Sequence, residues 1–271
     1  MVAAANGRRS VYNLGRRELI YLNTSTNSIA APQLNRLNTA TGSNNTPHLN
    51  WNAINLEQHR REYFLEGCTL VKDLFPPELI AKWHAWSLAN AQSAGLKLDA
   101  CSDNTWVYQK PNERHAYTMV DGDALRQQLP EMFEWYQALI PILSTITMQN
   151  VVPSPFKKSD VNVLVYDKPG SAIGWHRDTN PITFLLYLSD NEEGGTECCL
   201  LKTRPDQKDS DQQRKIFKPQ AGAVLLMQGR WVEHRSEPMS GKEVKIASPW
   251  NYYTDQDLWR PKQFDETIYG S

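Results

Sequence analysis

From residue 160 onward the hydrophobic pattern has the period of strands. Val161-Asn162-Val163-Leu164-Val165-Tyr166 is β-branched and alternating, and Asp167-Lys168-Pro169-Gly170 reads as a turn. Ile182 to Leu188 is an almost continuous apolar run. The acidic turn Asp190 to Gly195 leads back into a strand from Thr196 to Leu201. Pro205 to Arg214 carries charges and no apolar residue, as a solvated loop does. Further short strands follow at Ile216-Phe217, Ala223 to Met227, Val232 to Ser236 and Val244 to Tyr253. Many short strands separated by turns predict an antiparallel barrel or two-sheet sandwich.

Upstream the period is helical. Leu56 to Leu65, stopped by Gly67, predicts a helix, and Cys68 to Val71 a strand. Pro76-Pro77 opens a helix reaching about Ala94, with Leu79, Ile80, Trp83 and Trp86 on its apolar stripe. Residues 100–120 are less regular, with a strand expected at Trp106 to Lys110. A helical stretch from about Asp123 to Thr147 carries Met132, Phe133, Tyr136, Leu139, Ile140 and Leu143 on one face, restarted at Pro130 and Pro141. These helices are expected to cover one sheet. Residues 1–50 hold nine Asn among Thr, Ser and Ala with isolated apolar residues, too few to offset chain entropy; a flexible arm is expected there. The remainder, 51–271, reads as one domain: helical support over 51–150 and a β core over 151–255.

Composition narrows the function. A formal net charge of −1 with dispersed Lys and Arg argues against a nucleic-acid partner. No apolar run reaches membrane-spanning length, and the Arg-Arg pairs at 8–9 and 16–17 precede no apolar segment. Cys68, Cys101, Cys198 and Cys199 show neither metal-ligand nor disulfide spacing, so buried reduced thiols and a cytoplasmic setting are expected.

The chemistry concentrates at Gly174-Trp175-His176-Arg177-Asp178-Thr179 and at His234. An imidazole and a carboxylate two positions apart share one face of a strand. With a distant second histidine they form the facial triad that leaves positions of Fe(II) open for substrate and O2. His-x-Asp alone is weak, because six His and thirty acidic residues make chance pairs easy. His48, His59 and His84 read as structural or surface residues.

The ordered set Tyr166, Pro169-Gly170, His176-Arg177-Asp178, Thr183 to Leu188, Gly194-Gly195-Thr196, Gly222 to Met227, His234, Pro238 and Lys245 carries more weight. Residues 160–253 resemble the double-stranded β-helix (jelly-roll, cupin-like) core of Fe(II)/2-oxoglutarate-dependent dioxygenases, in the prolyl-4-hydroxylase-like branch. Gly67 to Trp86 resembles the helix that precedes this core. The resemblance implies Fe(II) held by His176, Asp178 and His234, with 2-oxoglutarate and O2 as cosubstrates and ascorbate as a reductant. It also implies a cation for the far carboxylate of 2-oxoglutarate. Lys245 is favoured because it lies in the last strand, with Lys242, in the preceding turn, as the competitor. Many relatives carry Arg there, closer to the proline. Thr183, Tyr187 and Tyr166 match positions that help hold the cosubstrate.

Alternation turns Trp175 and Arg177 away from the metal, although Arg177 stands close enough to reach a substrate carboxylate. Trp106, Tyr108, Arg114, His115 and Tyr117 lie where relatives place substrate-covering segments; core packing accounts equally well for the aromatics. Halogenating relatives lack the carboxylate, so Asp178 favours hydroxylation or another C–H oxidation. The expected substrate is a small molecule such as an amino acid or biosynthetic intermediate. The alternatives are a hydroxylase of protein side chains and a non-catalytic metal-binding sensor barrel. Oligomeric state stays open.

Overall fold

The strands of the core are apolar on both faces because each face is buried against something different. The computed structural model describes residues 54–103, 109–201, 212–261, 264, 268 and 269. All of them fall in one compact unit, Asn45–Ser271. The N-terminal arm expected over 1–50, and Trp106 and Tyr108, lie outside the described residues.

Twelve strands form one antiparallel, barrel-like sheet: β1 (Cys68–Val71), β2 (Leu96–Cys101), β3 (Arg114–Val120), β4 (Val151–Pro153), β5 (Val163–Tyr166), β6 (Ala172–His176), β7 (Ile182–Tyr187), β8 (Thr196–Cys199), β9 (Arg214–Phe217), β10 (Val224–Met227), β11 (His234–Ser236) and β12 (Lys245–Thr254). Hydrogen bonding runs in the order β1-β10-β7-β12-β5-β3-β6-β11-β8-β9, with β2 beside β3 and β4 beside β12. This is the antiparallel barrel that the strand pattern predicts, and the jelly-roll class that the resemblance implies.

Alternation along β7 sends Ile182, Phe184 and Leu186 to one face, and along β12 it sends Ile246, Trp250 and Tyr252 there. Those side chains meet the helices α1 (Leu56–Leu65), α2 (Pro77–Ala94), α3 (Gly122–Gln128), α4 (Pro130–Ala138) and α5 (Ile140–Thr147). Trp250 is the centre of this layer, fully buried, stacked on Phe184 at 5.2 Å and edge-on to Phe75 and Trp83. Aromatic contacts of this kind contribute about 0.5–1.5 kcal/mol each beyond area burial. The opposite faces of the same strands carry Thr183, Leu185, Lys245 and Ala247, and these, with Leu164 of β5, line the barrel interior.

The helices follow their sequence signals closely. Asn55 caps α1, accepting from Gln58 N at 3.1 Å. Pro130 and Pro141 restart the helical stretch as three segments, because proline suits a first turn and breaks an interior one. Residues 96–120 differ from expectation. Residues 96–101 and 114–120 pair as β2 and β3, Gln109 makes an isolated bridge to His176, and 106–108 of the strand expected at 106–110 lie outside the described residues. The reason is exposure: β2 is an outer strand with little apolar alternation to betray it. Among the described residues no helix is long and apolar enough to cross a membrane.

Candidate metal centre

His176 ends β6 and His234 begins β11, and the two pair directly across the sheet. Their rings lie 4.2 Å apart between centroids. Beyond His176 the chain leaves the strand, and Asp178 returns its backbone N–H to the carbonyl of Gly229 at 2.9 Å. That bond brings the carboxylate back between the imidazoles, 3.4 Å from His176 Nε2 and 3.7 Å from His234 Nε2. One ligand atom from each of the three residues lies within 4.8 Å of the others.

Local hydrogen bonds decide which atoms point inward. His176 Nδ1 bonds the Gly174 carbonyl at 2.7 Å and His234 Nδ1 the Val232 carbonyl at 3.1 Å. Each carbonyl accepts, so each Nδ1 carries the proton and each Nε2 presents a lone pair. Asp178 Oδ2 accepts from Thr183 Oγ1 at 2.5 Å, and that oxygen accepts from Asn180 Nδ2 at 2.8 Å. Burial pushes the Asp178 carboxyl up, but His234 and His176 outweigh it and hold the pKa down at about 2. Burial, with His176 beside it, lowers His234 to about 4. The result is two imidazoles and one carboxylate converging, a donor set that fits a divalent first-row metal with positions left open.

Gly229 makes this approach possible. A Cβ there would lie 2.3 Å from Thr183 Oγ1 and 3.0 Å from Asp178 Cβ. The sequence reading did not single it out; a glycine following a strand resembles any turn glycine.

Deeper in the same cavity stands Lys245, 1% exposed. Its ammonium donates to the Gly194 carbonyl at 2.5 Å and to Ser236 Oγ at 2.8 Å, and lies 4.8 Å from the Tyr166 ring centroid. No carboxylate of the described residues pairs with it. Burial pulls its pKa down to about 7, opposed by the charge of Glu237. A buried ammonium with neutral partners is costly and is relieved by an anion. Lys242, by contrast, is exposed in the turn.

The remaining expected residues sort by position. Tyr166 lines the cavity opposite Lys245. Tyr187 does not line it; its hydroxyl donates to Thr196 Oγ1 at 2.8 Å, and Thr196 is the residue facing the space. Thr183 lines the cavity, but its hydroxyl is committed to Asp178. His115 and Tyr117 also line it. Burial, with His176 nearby, lowers His115 to about 4, and its ring lies 6.4 Å from that of His176. Arg114 is not among the lining residues: alternation on β3 turns it outward, where it pairs with Asp99 at 3.2 Å. Trp175 faces away as expected, under the cations of Arg214, Arg235 and Lys110. Arg177 is exposed yet borders the cavity, because the chain has left the strand where alternation would hold.

Several lining residues escaped the sequence reading. Ser236 and Thr196 were legible as face-sharing neighbours of His234 and Cys198 on paired strands. Gln109, Phe264, Ile268 and Tyr269 had no pattern to announce them. Gln109 Oε1 is buried and without a hydrogen bond among the described residues.

The sequence pattern of the 2OG-Fe(II) oxygenase superfamily matches residues 161–253. No curated protein sequence matches the chain. Among solved structures, the non-heme α-ketoglutarate-dependent carbocyclase SnoK from nogalamycin biosynthesis superposes with a TM-score of 0.59 at 17% identity, covering 78% of this chain and 89% of that one. The epimerase SnoN in complex with Fe3+, α-ketoglutarate and nogalamycin RO gives 0.57 at 15%, over 76% and 86%. A prolyl hydroxylase from Trichoplax adhaerens, in complex with a hypoxia-inducible-factor peptide fragment, gives 0.54 at 13%, over 79% and 97%. At these identities the superpositions establish a shared fold. The matched pattern spans the segments that carry both histidines, the aspartate and the buried lysine, so residues 161–253 are similar to the 2OG-Fe(II) oxygenase superfamily in sequence and in fold.

Proposed function

We propose that this protein is an Fe(II)- and 2-oxoglutarate-dependent oxygenase of a small organic substrate, with His176, Asp178 and His234 as metal ligands and Lys245 as the cation for the cosubstrate's far carboxylate. The observation that carries the reading is the pairing, in one cavity, of a convergent His-Asp-His set with a buried ammonium that has no carboxylate partner. When bound, iron with 2-oxoglutarate and O2 supplies oxidative decarboxylation to succinate and CO2, one oxygen atom going to the succinate and one to a C–H bond of the substrate.

The protein's own residues prepare this chemistry. The carbonyls of Gly174 and Val232 hold both imidazoles in the ligating tautomer, and Thr183 orients the carboxylate. Lys245, Ser236 and Thr196 form the polar end of the cavity. Leu164, Leu185, Met227 and Ala247 line its walls between there and the metal ligands with apolar surface, which limits water and strengthens each charge interaction. Phe264, Ile268 and Tyr269 also border the space, and this enclosure suits a compact substrate better than an extended chain.

The test is anaerobic reconstitution with Fe(II) and 2-oxoglutarate, following the visible charge-transfer absorption of the chelate. Absorption in wild type that is lost in His176→Ala supports the proposal. A folded, iron-loaded protein that shows none refutes it.

A further inference from the structure

Two cations border the cavity, and the metal and cosubstrate account for only one. We infer that the outer part of the cavity binds the primary substrate as an organic anion with an apolar or aromatic body, its acidic group held by Arg177. This rests on the reading above. There, a divalent metal and Lys245 are balanced by Asp178 and the two carboxylates of 2-oxoglutarate. Arg177 is left over as one positive charge on the same space.

Its surroundings leave that charge unanswered. Among the described arginines, Arg60, Arg114, Arg126, Arg214, Arg230, Arg235 and Arg260 all donate to a carbonyl, hydroxyl or carboxylate. Arg177 and Arg61 make no such contact, and Arg61 is exposed on α1, away from the cavity lining. Among the described residues the only acidic one lining the cavity is Asp178, whose oxygens face His176, His234 and Thr183. A planar guanidinium with its donors unused is suited to a carboxylate, which it can hold through two parallel hydrogen bonds.

The rest of the outer cavity supplies the body site. Ile268 and Tyr269 pack with Met119, Leu164, Tyr166 and Ile173, and Phe264 borders the same space. Tyr269 is positioned by its hydroxyl, which donates to Asn162 Oδ1 at 3.2 Å. Arg230 ties the C-terminal segment to the residue after the metal carboxylate: it donates to the carbonyls of Thr179 and Trp259 and pairs with Asp257. An acidic group at Arg177 and an apolar body against these side chains bring the carbon framework over the metal ligands.

The experiment uses the full chain loaded with redox-inert Zn(II) and saturating 2-oxoglutarate, so that Lys245 is occupied. Ligand-observed NMR titration compares matched pairs: 3-phenylpropanoate with 3-phenylpropanamide, and hexanoate with hexanamide. At least one carboxylate is expected to bind tenfold or more tightly than its amide. Arg177→Gln should erase that preference, Arg177→Lys should keep part of it, and Ile268→Ala should weaken acid and amide alike. If no pair favours the anion, including the case in which none binds, or if Arg177→Gln keeps the preference, the inference is overturned. The Fe(II) absorption of wild type is scored first: its absence removes the underlying oxygenase reading, whereas its presence without anion preference removes this inference alone.

Discussion

Replacing Lys245 with Met tests the electrostatic logic of the cavity most directly. The lysine is buried, its ammonium rests on two neutral oxygens, and Tyr166 presents only a ring face. Removing one partner of a buried charge pair typically costs about 3–5 kcal/mol. With about 1.4 kcal/mol per factor of ten, the dissociation constant of 2-oxoglutarate should rise by about two to three orders of magnitude. The ligand-free protein should respond differently. Its folded-state lysine pKa is depressed to about 7 from an ordinary 10.5, so charging this group opposes folding. Between those values the unfolded chain binds the extra proton, and wild-type stability rises with pH by up to about 1.4 kcal/mol per unit from this group. Met at this position removes that rise and leaves stability at neutral pH equal or greater. Binding carries the converse sign. Above pH 7 the cosubstrate has to recruit a proton to Lys245, so its affinity should weaken by up to about tenfold per unit. Anaerobic titration of 2-oxoglutarate into the Fe(II) protein between pH 6 and 9 reads the affinities, and denaturant unfolding of the ligand-free proteins over the same range reads the stabilities. Wild-type affinity in Lys245→Met, within about threefold, would refute the assignment.

Two further substitutions probe the proposed metal ligands through their supports. Thr183→Val removes the hydroxyl bonded to Asp178 Oδ2 while keeping the shape, and should weaken metal affinity by about 10–100-fold. Because that bond helps hold the carboxyl near 2, its loss should also move acid-induced metal release to higher pH, as metal content across a pH series would show. Gly229→Ala places a methyl 2.3 Å from Thr183 Oγ1 and should destabilise the fold by about 1–3 kcal/mol with loss of bound metal. An unchanged melting temperature and full metal occupancy would contradict the close approach.

The strands that hold the site were legible where their periodicity was strong. Ile182 to Leu188 and Val244 to Tyr253 announce themselves as long apolar runs, because one face meets the helices and the other lines the barrel. The hairpin β2–β3 was not legible, since its outer strand buries little and its inner strand mixes His115, Thr118 and apolar residues. Of the residues expected to hold the cosubstrate, Lys245 lines the cavity. Tyr187 shares the inward-facing side of β7 but lies beyond the cavity lining, behind Thr196, a matter of depth that alternation does not encode.

The sequence by itself determined most element types, an antiparallel barrel-like class, the resemblance to the oxygenase core and the ligand candidates, because these depend on local period, turn chemistry and the order of a few side chains. Only the tertiary structure decided the pairing of His176 with His234, the bend that returns Asp178 between them, and the place of Arg177 on the cavity lining. It alone brings the far C-terminal Phe264, Ile268 and Tyr269 to the same cavity. Those facts depend on which distant segments the closed sheet brings together, and no local pattern carries that information.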